Sequence, residues 1–207
     1  YEKGRKLLNG LYTYRFELAK IHNQRGNFDL ALEELLNALE EDQSQIVKVK
    51  TDLLDVFSAD QSGQKTDYFE EALIGRIQRN ASKDIYPELL IWHFEQQKKF
   101  KQAFTQAKAL DRRNREDGAR LVQFGHICAA NEAYDLAIEA YQFVIKKGKD
   151  NYYYLSCKKD LVNTLYTKAV AGGEYTDAEL LELEKTFLIT LDEFGRNGNV
   201  AQMMMNL

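Results

Sequence analysis

Apolar residues recur every three or four positions along almost the whole chain, which is the spacing of one face of an α-helix. The clearest example lies between Arg120 and Lys149, where two apolar stripes are separated by a short polar break at Asn131 and Glu132. Two amphipathic helices joined by so short a break must pack antiparallel. The pattern therefore predicts a helical hairpin in this stretch.

The same periodicity predicts helices along the remaining chain. Only one proline occurs in 207 residues, and Val, Ile and Thr seldom alternate with polar residues, so strands are not expected. We predict extended turns near residues 59–65 and 169–174, a charged turn at 111–117, and a stop at 195–198. The predicted helices outside the clearest hairpin are 2–23, 28–40, 46–57, 68–78, 85–96, 100–110, 152–170 and 177–194, and a further helix begins at 198–207.

An aromatic residue followed three positions later by alanine opens the second helix of the hairpin, at Tyr134 and Ala137. A small side chain lets two crossing helices approach, and an aromatic ring one turn earlier fills the edge of the crossing. Chance is the alternative explanation, since these residue types are common in helices. The pair recurs at Phe28 and Ala31, Phe69 and Ala72, Phe100 and Ala103, and Tyr175 and Ala178, so that the alanines are 41, 31, 34 and 41 residues apart.

This repetition resembles the tetratricopeptide repeat family, whose unit is a helix-turn-helix of about 34 residues. The residues that carry the resemblance are Gly125, Tyr134, Ala137 and Tyr141 in the best unit, and Leu18, Gly26, Phe28, Ala31 and Ala38 in the next. No unit has the family's early tryptophan at the matching place, one has the first-helix glycine, and no proline follows a second helix. Neighbouring helical repeat families therefore stay open as alternatives.

The resemblance implies an all-α fold, an α-α superhelix of about five stacked antiparallel hairpins that forms one array over residues 1–207. Each hairpin needs a neighbour to bury its second face, so the array is expected to be cooperative. The predicted repeats are residues 11–43, 46–80, 84–114, 118–150 and 151–195.

Composition and charge exclude several classes of function. The formal net charge is −4 with charges of both signs interspersed, which disfavours nucleic acid as a partner. No apolar run approaches the length of a membrane span. Cys128 and Cys157 are too isolated for a disulfide framework or a metal site, and neither catalytic residues nor a cofactor are expected.

The ends of the sequence suggest a piece of a longer protein, since it begins at Tyr1 and ends inside a helical pattern. On that basis we favour a bacterial cell envelope over the cytoplasm. An unfinished sixth hairpin could also pair with a second copy of the chain and make a homodimer.

Without a catalytic constellation, binding is the expected function. We predict a noncatalytic scaffold that holds a peptide or helix of a partner protein in the concave groove lined by first helices. Alternatives are a regulatory or substrate-positioning module of a larger enzyme or signalling protein, and an RNA or anionic-lipid binder acting through the basic stretch 98–113. The resemblance places these residues in the groove: Phe16, Lys20, Asn23, Glu88, Trp92, Val122, His126, Tyr153, Asp160 and Asn163.

Overall fold

A computed structural model describes residues 1–7, 12–58, 60, 63–171 and 176–194. All regular secondary structure in these ranges is helical, which confirms the all-α prediction. The helices are α1 (Glu2–Leu7), α2 (Arg15–Gln24), α3 (Phe28–Glu41), α4 (Ile46–Phe57), α5 (Gln64–Arg79), α6 (Ile85–Gln96), α7 (Phe100–Asn114), α8 (Ala119–Ala130), α9 (Tyr134–Ile145), α10 (Tyr154–Ala171) and α11 (Asp177–Phe194), with a 3-10 turn at Gln43–Gln45.

The chain divides into two compact units, Tyr1–Leu90 and Ile91–Leu207. In the first unit α3 packs against α2, α4 and α5, and its leucines at 32, 35, 36 and 39 are fully buried. In the second unit α9 packs against α7, α8 and α10, and α10 packs against α11. The predicted repeat limits stay a prediction, and the stop at 195–198 and the helix at 198–207 lie outside the described residues.

Helices joined by short turns run antiparallel. The start of α2 meets the end of α3, where the Arg15 guanidinium pairs with Glu41 at 2.7 Å. In the same way, the start of α10 meets the end of α11, where the Tyr154 hydroxyl donates to Glu193 at 3.0 Å. These pairs are the helical hairpins that the apolar periodicity predicts.

Three hairpins share one turn geometry. The connections α2–α3, α6–α7 and α8–α9 each contain a residue with positive φ, namely Gly26, Lys98 and Glu132 at 76°, 53° and 62°. In each, the following N–H group donates to the carbonyl five residues back, over 2.8–2.9 Å. This Schellman arrangement satisfies the last carbonyls of the first helix and starts the second helix two residues after the left-handed residue. The structure thus contains a repeated turn, not only a repeated composition.

The aromatic and alanine pair has the predicted place in these three hairpins. Helices α3, α7 and α9 begin at Phe28, Phe100 and Tyr134, and the alanines at 31, 103 and 137 are fully buried. The pattern fails elsewhere, because Ala72 is only partly buried and Ala178 is exposed. Tyr175 lies outside the described residues.

The prediction of one helix over residues 2–23 is wrong. Between α1 and α2 the chain leaves the helix, and Tyr14 has a left-handed φ of 54°. Its ring packs against those of Tyr1 and Tyr12, with centroids 5.3 and 4.6 Å away. Ring contacts of this kind stabilise the non-helical conformation at Tyr14, which helical periodicity alone does not reveal.

Helices α5 and α7 are longer than predicted. The Asp60 carboxylate accepts from the Thr66 N–H at 3.0 Å, which satisfies a free donor of the first turn and lets α5 begin at residue 64. Helix α7 continues to Asn114 through the segment that we expected to be a charged turn. Its Asp111 is fully buried and accepts from the Lys147 ammonium at 2.6 Å.

Candidate functional site

A cleft lies between α2 and α4 in the first unit. It consists of two adjoining cavities of about 350 and 510 Å³ that share Tyr12, Phe16 and Lys48. A volume of this size holds one or more side chains of a ligand. We call it the α2–α4 cleft, and its lining residues are Tyr12, Thr13, Tyr14, Arg15, Phe16, Glu17, Ala19, Lys20, Asn23, Leu35, Ala38, Glu41, Asp42, Gln45, Lys48, Asp52, Asp55 and Val56.

The floor of the smaller cavity is apolar. Ala19, Leu35 and Val56 are each no more than 3% exposed, and they come from α2, α3 and α4 respectively. Ala19 leaves space at the floor, because a larger side chain at this position would fill it. Contact with such a floor favours an apolar ligand group, since burial removes its surface from water.

Phe16 lines both cavities. The Lys48 ammonium lies 4.1 Å from the centroid of its ring and also pairs with Asp52 at 2.9 Å, one helical turn away. A cation over an aromatic face is attracted by the negative charge density of the ring. Lys48 is thus held in place by two contacts, and it lines both cavities.

Hydrogen bonds fix several rim groups. The Tyr12 hydroxyl donates to Glu17 at 2.8 Å, and this bond raises the pKa of Tyr12 above its usual value. The side chain of Gln45 and the Ser44 N–H both donate to Asp42 at 3.0 Å, and these bonds lower the pKa of Asp42. A lowered pKa means that this exposed carboxylate stays ionised at neutral pH.

The structure brings three of the predicted groove residues together in this cleft. Phe16, Lys20 and Asn23 follow one another along α2 and all line the smaller cavity. Phe16 and Asn23 are partly buried, and Lys20 is exposed. Their side chains therefore share one cavity wall.

The α4 side of the cleft was missed by the sequence analysis. Lys48, Asp52 and Asp55 share one face of α4, because they are spaced by four and three residues. Val49, Leu53 and Val56 form the adjacent buried face. A polar stripe next to a buried stripe on a first helix is the pattern that could have indicated this wall.

In the second unit, the predicted residues His126 and Asp160 contact each other. The Nε2 atom of His126 lies 2.9 Å from a carboxylate oxygen of Asp160, which joins α8 to α10. The His126 side chain remains 56% exposed, so this pair is open to solvent. Two helices that each open a hairpin thus meet here, as α2 and α4 do in the first unit.

The remaining predicted groove residues are less exposed to solvent. Val122 is 8% exposed, and its side chain lies in the core between helices. Tyr153 and Asn163 of the second unit are partly buried. Glu88 and Trp92 are both partly buried and lie one turn apart on the same face of α6.

Comparisons with protein-family models, with curated proteins and with solved structures found no match. The resemblance to tetratricopeptide repeats therefore rests on the sequence pattern, and family membership stays a prediction. Within the described part of the chain, no helix is both long enough and apolar enough to span a membrane.

Proposed function

We propose that this chain is a noncatalytic protein-interaction scaffold, a divergent tetratricopeptide-like helical repeat array. In this proposal the first helices of its hairpins form a groove that binds a peptide or helix of a partner protein. The observation that carries the proposal is the α2–α4 cleft, where Phe16, Lys20 and Asn23 stand opposite Lys48 and Asp52.

Further support comes from the repeated turn and from the second unit. The same Schellman turn closes three hairpins, which is what a repeat array requires of its connections. Contacts between α8 and α10 through His126 and Asp160 supply a second surface between two first helices. An apolar floor with a polar rim is also the usual composition of a peptide-binding site.

Photo-crosslinking tests the proposal. A photoreactive amino acid replaces the exposed Lys20 in one protein and the exposed Leu30 on the α3 surface, outside the cleft, in a matched control. Each protein is irradiated in a native cell extract, and mass spectrometry identifies the crosslinked segment. We expect one partner segment to crosslink at position 20 and not at position 30. Crosslinks at position 30 alone, or at neither position, would contradict the proposal.

A further inference from the structure

The cations of the α2–α4 cleft are mostly engaged by the protein itself. Arg15 pairs with Glu34 and Glu41, each at 2.7 Å. Lys48 pairs with Asp52 and lies over a phenylalanine ring. Among the described lining residues, Lys20 alone is a cation without a carboxylate partner.

The carboxylates of the cleft are less fully neutralised. Glu17, Asp42 and Asp55 line it without an ion pair to any described cation. Asp42 and Asp55 are exposed at opposite ends of the cleft. One oxygen of Glu17 accepts from Tyr12, and its other oxygen is buried and accepts no hydrogen bond from a described residue. Among the described lining groups without an ion pair, there are therefore three carboxylates and one ammonium.

The length of the cleft limits how many residues of a bound peptide can lie along it. Gln45, the residue before α4, and Val56 near the end of α4 mark the two ends of this wall, and eleven helical steps span about 16 Å. An extended chain covers about 3.3 Å per residue, so about five residues of a peptide would lie along the cleft. Basic residues at both ends of such a segment reach Asp42 and Asp55, and a residue between them lies over the apolar floor.

We infer that the α2–α4 cleft selects a basic segment of a partner protein that carries one aliphatic side chain between lysine or arginine residues. The inference rests on the proposed function and names the chemistry of its ligand. The aliphatic side chain enters the cavity above Ala19, Leu35 and Val56. The flanking cations pair with Asp42 and Asp55, the exposed carboxylates that form no ion pair with a cation of the described residues.

Fluorescence anisotropy with synthetic peptides tests this selection. The probes are fluorescein-labelled peptides of about six residues, a length that spans the cleft. One contains lysine and leucine, a second contains glutamate and leucine, and a third contains lysine and serine. We expect the lysine-leucine peptide to bind most tightly and its affinity to fall as salt is added, because exposed charge pairs are screened.

Two variants of the whole chain provide the matched comparison. The substitutions Asp42→Asn and Asp55→Asn together should weaken binding of the lysine-leucine peptide by about tenfold, as expected for the loss of two exposed charge pairs. Asparagine at position 42 can still accept the Ser44 N–H, so the local turn is kept. The control combines Glu139→Gln with Asp150→Asn, two exposed acids of the second unit, and should leave the affinity unchanged.

Several results would overturn the inference. They are tighter binding of the glutamate-leucine peptide, equal binding of the lysine-serine peptide, equal weakening by both double variants, or no binding of any probe. The crosslinking experiment separates this failure from a failure of the proposed function. An acidic partner segment crosslinked at position 20 would support the scaffold function and refute the selection of a basic segment.

Discussion

The crossing of α8 and α9 depends on the absence of a side chain at Gly125. A Cβ atom built there would lie 2.5, 2.8 and 3.0 Å from three ring atoms of Tyr141. Carbon atoms pack best at about 3.5–4.0 Å, so the Gly125→Ala methyl overlaps the ring by about 1 Å. Tyr141 is 1% exposed, and its ring has little room to move.

Two effects of Gly125→Ala oppose each other. Alanine favours a helix interior over glycine by about 1 kcal/mol, whereas overpacking a core costs roughly 1 to 3 kcal/mol. Because the clash falls on a buried ring, we expect overpacking to exceed the helix-propensity gain and the free energy of unfolding to fall by up to about 2 kcal/mol. Urea titration followed by far-ultraviolet circular dichroism and by Trp92 fluorescence measures this change, since Trp92 belongs to the same compact unit.

Gly75→Ala, in the first compact unit, is the control, and circular dichroism follows its unfolding. Gly75 lies inside α5, and the nearest atom to an added Cβ is the end of the flexible Arg79 side chain at 3.8 Å. Only the helix-propensity effect remains there, so this variant should be more stable by about 0.5 to 1 kcal/mol. A second test adds Tyr141→Leu, which removes the ring, so that in the double-mutant cycle Gly125→Ala should stabilise by about 0.5 to 1 kcal/mol instead of destabilising. If Gly125→Ala stabilises as much as Gly75→Ala does, α8 and α9 do not cross closely at Gly125.

Three further outcomes are expected. Ala137→Leu should lower the free energy of unfolding by roughly 1 to 3 kcal/mol in urea titration, because its position is fully buried; unchanged stability would contradict this. Hydrogen bonds from Lys149 and other donors lower the pKa of Glu193 to about 2, below its unfolded value of about 4.3. The ionised carboxylate therefore stabilises the fold above about pH 4.3, and this contribution is lost as the pH falls toward 2. The stability difference between the wild type and Glu193→Gln should shrink over that window, and a constant difference would refute the assignment. Burial raises the pKa values of Cys128 and Cys157 to about 12, so a thiol reagent at mildly alkaline pH should label both only after unfolding in urea; labelling of the native protein would contradict their burial.

Most of the helical framework could be predicted from the sequence. The bounds of α4, α6 and α11 agree with the predicted ranges, because each helix has a continuous apolar stripe between polar or glycine-containing breaks. Three of the turns follow from short breaks before an aromatic residue. Local information is sufficient in these places, since the residues that start and end each helix are close in sequence.

Two of the errors arise where a contact with a residue farther along the chain decides the local structure. Asp111 lies in a run of charges that suggests an exposed turn, yet Lys147, 36 residues away, pairs with it and lets α7 continue. The break before α2 depends in the same way on Tyr14 packing against Tyr1. The periodicity of apolar residues does not show contacts between residues that are far apart in the sequence.

One of the two walls of the candidate site could be predicted from the sequence. The α2 wall followed from the family resemblance, which places Phe16, Lys20 and Asn23 on the groove face. The α4 wall could not be predicted, because its polar residues line a cleft only when α4 packs beside α2. The ion pair between Lys48 and Asp52 looks like an ordinary surface pair in the sequence.

Hydrogen–deuterium exchange of the whole chain, with and without the crosslinked partner segment as a synthetic peptide, tests the central claim most directly. Binding in the α2–α4 cleft predicts slower amide exchange in Arg15–Gln24 and Ile46–Phe57, because a bound segment reduces local opening of both helices. Protection confined to α5 and α7, or exchange unchanged by saturating peptide, would contradict the claim that this cleft is the binding site.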